Sequence, residues 1–324
     1  MKARTFGDDV FNNRLLSILN KSVPFTVLKV KQLRDNVYFI ETDRRPYILK
    51  GYSSYQRLRL QEVFTATLKK QGFLQTYSFL RFSENPITYN HKYWGWIEYL
   101  EPHRETFTYQ SENNRIAGLE LLRSYHFTTK KFVKSFEQTL PSFNLLEKWI
   151  ERSRQFLKNQ PIIANYLPDF MLKELLDWGN ISLSGLQLEN QEFGDDSKLA
   201  ILHGDVAHHN FLKSKSGKLN LIDFDLIAIG HESADLLQYA NRILPYLNWS
   251  LDNLTQYSQF QHYLQHRAFL YALMYPTDIF REWNRIIKSR AYQRPKKLIP
   301  VIELTSKQFH LRQQFVKELK NVVK

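Results

Sequence analysis

One stretch of the chain, ILHGDVAHHNFLKSKSGKLNLIDFD, concentrates the residue types that could do chemistry. An apolar run, Leu199–Leu202, delivers His203, Gly204 and Asp205, with Asn210 five residues after Asp205. A second run, Leu219–Phe224, delivers Asp223 and Asp225. An aspartate, an asparagine five residues on and a second aspartate thirteen beyond that is spacing suited to phosphoryl transfer. That reaction needs Mg²⁺ to neutralise the phosphates, an acceptor hydroxyl held in line, and a base for its proton. Mg²⁺ takes hard oxygen ligands, and Asn210 and Asp223 supply a neutral and an anionic one. Asp205, offset from them, stands where a base belongs, and His203 would brace the loop. His208 and His209 beside Asp205 could suggest zinc with His203, but zinc needs further convergent ligands and none is evident.

The elements that must position these residues divide into a mostly β front, to about residue 100, and a mostly α back with one inserted β pair. Phe11, Leu15, Leu16 and Leu19 recur at helical spacing, which predicts a short helix over Asp9–Leu19 capped by Asp8 or Asp9. FTVLKVKQL, NVYFIET and PYILKGY read as three antiparallel strands separated by turn-like RDN and DRR. Lys50 ends the third strand. An isolated strand lysine can simply snorkel, but one here could reach nucleotide phosphates as a point charge. Arg57–Gln71 reads as a helix whose only acid, Glu62, could pair with Lys50 and hold it in place. The turn QLRDNVYF contains no glycine; Arg34, Asp35 and Asn36 would have to turn there, and Asn36 tolerates the required backbone best. Ile87–Tyr89 and Tyr93–Tyr99 form a predicted hairpin across Asn90-His91-Lys92, with Trp94 and Trp96 on one face as core candidates. The second strand runs out at Pro102, which places a hinge near Tyr99–Glu101 whose bare backbone groups could meet an adenine edge.

From Asn113 the period is helical: a helix to His126, then Phe143–Leu157, Asn165–Trp178, Glu232–Leu244, Gln256–Tyr275, Ile279–Lys288 and Leu304–Val323, with an acidic polar loop at 188–198 and Pro295 and Pro300 as breaks. Tyr246, Trp249, Tyr263, Tyr271 and Trp283 are the aromatic candidates for an acceptor site between the central loop and the C-terminal helices, core packing being the competing role for each.

The 324 residues suit two lobes or domains, and an apolar content of 43% suffices for a sizeable core. The absence of cysteine excludes thiol nucleophiles, cysteine metal sites and disulfides, and fits a cytoplasmic chain. No apolar run approaches a membrane span, and no signal-type segment opens the sequence. Residues 285–324 carry eleven Lys/Arg against two Glu, +9 of the total +13. This is either a solvated basic face or an attraction to an anionic surface or polyanion, and no nucleic-acid motif accompanies it.

HGDVAHHN followed by IDFD resembles the catalytic and metal-binding loops of the aminoglycoside phosphotransferase/choline kinase superfamily, relatives of the eukaryotic protein kinases. YILK is similar to that family's nucleotide-lysine strand, GLELLRSYH to its helix after the hinge, and GHESADLLQYA to the segment after the metal loop. NVYFIET, YILK and LLRSYH also look like the spore-coat CotS-like branch. The resemblance implies an α+β, protein-kinase-like two-lobed fold: an antiparallel β-sheet N-lobe over 1–100 and a mostly helical C-lobe over 101–324 carrying the loops of 203–225. It implies ATP and Mg²⁺ as cofactors, Asp205 as base, Asn210 and Asp223 as Mg²⁺ ligands, Lys50 at the α/β-phosphates with Glu62 as its partner, and Asp235 as a buried loop-stabilising carboxylate. Asp225 stands where protein kinases have glycine; it either assists the second metal or shapes the loop. The expected function is transfer of the γ-phosphate to a hydroxyl of a small molecule. The competing expectation, favoured by the glycine-free turn, is a weak or inactive kinase-fold protein with a binding role, such as a spore coat component.

Overall fold

The computed structural model describes residues 6–189 and 199–324, so the acidic loop expected at 188–198 falls almost wholly outside the described residues. The chain opens with α1 (Phe6–Ser22), β1 (Val27–Arg34), β2 (Val37–Thr42), β3 (Tyr47–Tyr52), α2 (Tyr55–Lys70), β4 (Phe79–Leu80), β5 (Ile87–Tyr89) and β6 (Lys92–Glu98). Next come α3 (Glu112–Lys130), α4 (Leu145–Ile163), α5 (Asp169–Leu188), β7 (Leu199–Leu202), β8 (Phe211–Lys213), β9 (Leu219–Leu221) and β10 (Ala228–His231). The remainder is helical: α6 (Ser233–Ile243), α7 (Leu251–Thr255), α8 (Ser258–Gln261), α9 (Arg267–Met274), α10 (Thr277–Lys288), α11 (Pro295–Ser306) and α12 (Phe309–Val322). Among the described residues no helix is long and apolar enough to cross a membrane.

The chain forms two compact units, residues 1–106 with 210–225, and residues 107–209 with 226–324. The stretch 203–225, expected as a whole in the helical part beginning at 101, is therefore shared between them. The expected hinge also lies inside the first unit: the Lys215 N–H donates to the Glu101 carbonyl at 2.7 Å and the His103 N–H to the Lys213 carbonyl at 2.8 Å. The first of these bonds spends the Glu101 carbonyl, one of the backbone groups of Tyr99–Glu101 that an adenine edge was expected to find bare.

The first unit is an antiparallel sheet in the order β1-β2-β3-β6-β4, with β5 on β6. Strand alternation sorts its side chains. Tyr38, Ile40, Tyr47, Leu49, Trp94 and Trp96 join Leu15 and Leu19 of α1 in one buried cluster, so both tryptophans are core. Lys50 points to the other face from Leu49. α1 begins before Asp8 and Asp9, so neither caps it. α2 begins at Tyr55 behind Ser54, whose side chain accepts the Arg57 N–H. Asn90 and His91 alone make the β5–β6 turn, both at positive φ, and Lys92 is already in the strand. The two apolar runs of the central stretch do not pair with each other. β9 pairs with β8 in this unit.

In the second unit β7 pairs antiparallel with β10. α3 packs on β7, α4 on α5 and α10, and α5 on α9. Stacked rings fill this core: Trp149 on Tyr275 at 4.1 Å and Phe156 on Phe280 at 3.9 Å. The expected helix 256–275 is broken into α8, a 3₁₀ turn and α9. Conversely, Pro295 starts α11 rather than breaking the chain, because a first-turn proline gives up an N–H that has no partner anyway. Pro300 is accommodated inside the same helix.

Candidate functional site

In the first unit three predicted residues meet at one ammonium group. Lys50 Nζ lies 2.7 Å from Asp223 Oδ1 and 2.7 Å from Asp225 Oδ1. Asp223 Oδ2 is held by Arg34 at 2.6 Å. Local structure explains the convergence. The β8–β9 ribbon sets the Ile222 N–H on the Asn210 carbonyl at 3.0 Å, so Asn210, 1% exposed, is anchored beside the residue preceding Asp223. Phe224 packs against Phe64 and Tyr77, and its carbonyl accepts from Gln61 Nε2 at 2.7 Å. With Phe224 buried, the flanking aspartates turn to the polar side. Asp223 has φ 70, a left-handed conformation that aspartate tolerates better than most residues.

The glycine-free turn is made as its sequence suggests. Asn36 takes φ 58, and its carbonyl accepts the Gly51 N–H at 2.8 Å, which ties the turn to the residue after Lys50. Arg34, Asp35, Asn36, Lys50, Asp223 and Asp225 line a cavity of about 640 Å³. Burial by itself would raise the Asp223 carboxyl, but Lys50 and then Arg34 outweigh it and hold the group down at about 2. The expected Lys50–Glu62 pair is not made. Glu62 instead pairs with Arg59 and, at 2.6 Å, with Arg81, while Lys50 is satisfied by the two aspartates. Tyr99 packs edge-on against Phe39 at 5.0 Å, and the Glu101 carboxylate pairs with Lys215 at 2.9 Å.

Among the described residues no group of three or more His, Cys, Asp or Glu side chains converges on a metal position. The donors present near Lys50 are the carboxylates of Asp223 and Asp225, with Asn210 anchored next to them. Such an oxygen set, one member strongly held ionised, suits Mg²⁺ completed by phosphate oxygens.

In the second unit Asp205 and His203 leave β7 over a buried carboxylate. Asp235, fully buried, accepts the His203 N–H at 2.7 Å on Oδ2 and the Gly204 N–H at 2.9 Å on Oδ1. His126 Nε2 sits 2.9 Å from the same Oδ2. Burial would raise the Asp235 carboxyl; the His126 hydrogen bond and charge, with the His203 N–H, hold it below its ordinary value. Gly204 is at φ 76, and a Cβ there would lie 2.3 Å from the Leu226 carbonyl oxygen, so only glycine fits. His203 is wholly buried and its Nδ1 accepts the Asp205 N–H at 3.3 Å. It braces the loop and does not reach solvent. The Asp205 side chain is 34% exposed, with Arg242 at 3.9 Å. It lies on the wall of a cavity of about 930 Å³ within this unit. Of the expected acceptor aromatics only Tyr246 lines it. Trp249, Tyr263 and Trp283 are buried in the core, and Tyr271 packs over Gly185. Tyr109, Trp149, Arg242 and a set of cations on α4, α10 and α11 line it instead; the helical ones were missed because each reads as an ordinary amphipathic-helix residue, and Tyr109 sits in the turn before α3.

The model of the phosphotransferase enzyme family matches residues 26–272. The chain belongs to this family. No curated protein matches it. Among solved structures, an aminoglycoside phosphotransferase from Alicyclobacillus acidocaldarius superposes with a TM-score of 0.71 at 17% identity, over 94% of each chain. A spectinomycin phosphotransferase in complex with ADP and spectinomycin gives 0.62 at 12%, over 95% of this chain and 98% of that one. The choline kinase LicA from Streptococcus pneumoniae gives 0.52 at 15%, over 98% and 100%. At these identities the likeness speaks to the fold, which is α+β and protein-kinase-like, with an antiparallel sheet in its N-terminal part and a mostly helical C-terminal part.

Two outcomes are expected from this geometry. Asp235→Ala strands the His203 and Gly204 N–H groups and lowers stability by about 3–5 kcal/mol, read from a urea-denaturation midpoint. The folded value of Asp223 lies below its unfolded value of 3.8. Its pairing therefore stabilises the fold above about pH 4, and that contribution fades as pH falls toward about 2. The stability difference between wild type and Asp223→Asn should narrow from pH 5 to pH 3.

Proposed function

We propose that this protein transfers the γ-phosphate of ATP to a hydroxyl of a small molecule. The observation that carries this is the placement of Asp205: partly exposed on the wall of a cavity of about 930 Å³, at the end of a loop clamped by Asp235. That volume is of small-molecule size.

In this reading Lys50 and Arg34 meet the phosphates of the nucleotide, Lys50 at the α/β-phosphates. Asn210 and Asp223 hold Mg²⁺, with Asp225 nearby to assist or to shape the loop. Bound Mg²⁺ supplies neutralisation of the phosphate oxygens. Asp205 accepts the proton of the acceptor hydroxyl as that oxygen bonds to the γ-phosphorus; the bond from the γ-phosphorus to the bridging oxygen breaks, and ADP leaves with the electron pair. His203 holds the Asp205 N–H and thereby the loop's direction. Glu62 has no part in positioning Lys50, a task that falls to Asp223 and Asp225.

A second reading, weak or absent turnover, draws on one observation: Lys50 and Arg34 together already engage both oxygens of Asp223. Neither a coat role nor a polyanion partner gains support. Within the basic C-terminal segment Arg312 pairs with Asp278 and Lys320 with Asp177, while Lys296 and Lys297 face the cavity.

Thermal unfolding with and without Mg-ATP separates the two readings. Ligand binding to the folded state adds about 2.7 kcal/mol at a hundredfold excess over Kd, and no shift at millimolar Mg-ATP sinks the kinase reading. Asp205→Asn should retain that shift while turnover drops by about 10²–10⁴-fold. Asp223→Ala should abolish the Mg²⁺ dependence of nucleotide binding.

A further inference from the structure

The cavity beside Asp205 is strongly cationic. α4 turns Lys148 and Arg152 to it, α10 Arg281 and Arg285, α11 Lys296 and Lys297, and α6 Arg242. On α4 and α10 the two cations lie four residues apart and so share one face; Lys296 and Lys297 are neighbours on α11 and both reach the wall. Three acids accompany these seven cations on the wall: Asp205, Asp278 and Glu282. Two of the acids are already neutralised, Asp278 by Arg312 at 2.9 Å and Glu282 by Arg281 at 3.2 Å and by Arg285. Among the described residues no carboxylate lies within ion-pair distance of Lys148, Arg152, Lys296 or Lys297. Among the described residues the Arg152 guanidinium bonds the Thr277 carbonyl and hydroxyl. Lys148 sits 5.0 Å over the Phe143 ring.

Partial desolvation, followed by the like charges of Arg152 and Arg281, pulls the Lys148 ammonium below its ordinary value. Cations gathered at a cavity wall without counter-charge repel one another, and an anion placed among them relieves that repulsion. The quaternary ammonium of choline or a polycationic aminoglycoside would meet like charge here.

Resting on the phosphotransfer reading above, we infer that the acceptor is an anionic hydroxyl compound, a small polyol or sugar acid whose carboxylate or phosphate group is held by Lys148, Arg152, Lys296 and Lys297 while a hydroxyl meets Asp205.

Isothermal titration of the full chain, without nucleotide, tests this with 6-phosphogluconate, gluconate, glucitol and kanamycin. The two acids should bind, their ratio telling phosphate from carboxylate as the preferred charge, and glucitol and kanamycin should bind at least about tenfold more weakly. Replacing two exposed residues together, Lys296→Gln and Lys297→Gln, should weaken the acids by about tenfold without loss of folding, and Lys148→Met should do the same. No binding of either acid, equal binding of glucitol, tighter binding of kanamycin, or acid binding unchanged in the double variant overturns the inference. Because nucleotide is absent, the result is separable from the phosphotransfer reading. Acid binding in a protein that Mg-ATP does not stabilise removes that reading alone. ATP consumption with a neutral or cationic acceptor, and none with the acids, removes this inference alone.

Discussion

The buried carboxylate of Asp235 is the constraint on which the reacting loop depends. A carboxylate with no solvent contact is costly unless donors surround it. Here they are two consecutive peptide N–H groups, His203 and Gly204, and the ring of His126. Because the donors are backbone, satisfying the charge also fixes two peptide planes. The direction in which Asp205 leaves β7 follows from that. Gly204 closes the other side, since the Leu226 carbonyl leaves no room for a Cβ. The loop is thus held from beneath by charge and from above by sterics, and its one partly exposed acid points where those two constraints allow.

The first unit solves a different problem, that of keeping several charges close together. Lys50 is nearly buried, yet it carries two aspartates, and Asp223 in turn carries Arg34. Two cations and two anions form a closed set. Under the proposed function, an incoming phosphate would take over the cations as a divalent metal took over the carboxylates. This set also sustains the left-handed backbone of Asp223, which would be strained if left alone. Gln61 on the Phe224 carbonyl and the Phe64 ring against Phe224 supply the remaining restraint.

Much of this was legible in the sequence because it is local. Alternating β-branched and aromatic residues marked β1 to β3, and the turn at Asn36 followed from which residue of RDN tolerates positive φ. The order Lys50, Asp205, Asn210, Asp223 marked candidate residues, of which Lys50 and Asp223 meet in the folded first unit. What sequence did not carry was partner choice. Glu62 was the one acid on its helix and seemed destined for Lys50, but Arg59 and Arg81 reach it from neighbouring positions, and the aspartates after Phe224 reach the lysine. Strand pairing was hidden for the same reason: one inserted β pair was expected, whereas β7 finds β10 and β9 finds β8. Pro295 was read as a break when its position at a helix start makes it an initiator.

The basic C-terminal segment shows how charge counts mislead without placement. Its excess of +9 suggested an outward surface for a polyanion. In the folded second unit those charges have separate fates. Arg312, 4% exposed, neutralises Asp278, and Arg285 neutralises Glu282. Each of those pairings removes an acid from the cavity wall, which leaves Lys148, Arg152, Lys296 and Lys297 less compensated than the local composition implies. Of the segment's cations, Arg285, Lys296 and Lys297 reach the wall that also bears Asp205, while Lys288, Arg290, Arg294, Lys307, Lys317 and Lys324 stay on exposed surface. Under the proposed function, the cations on that wall would favour an acceptor that itself carries negative charge.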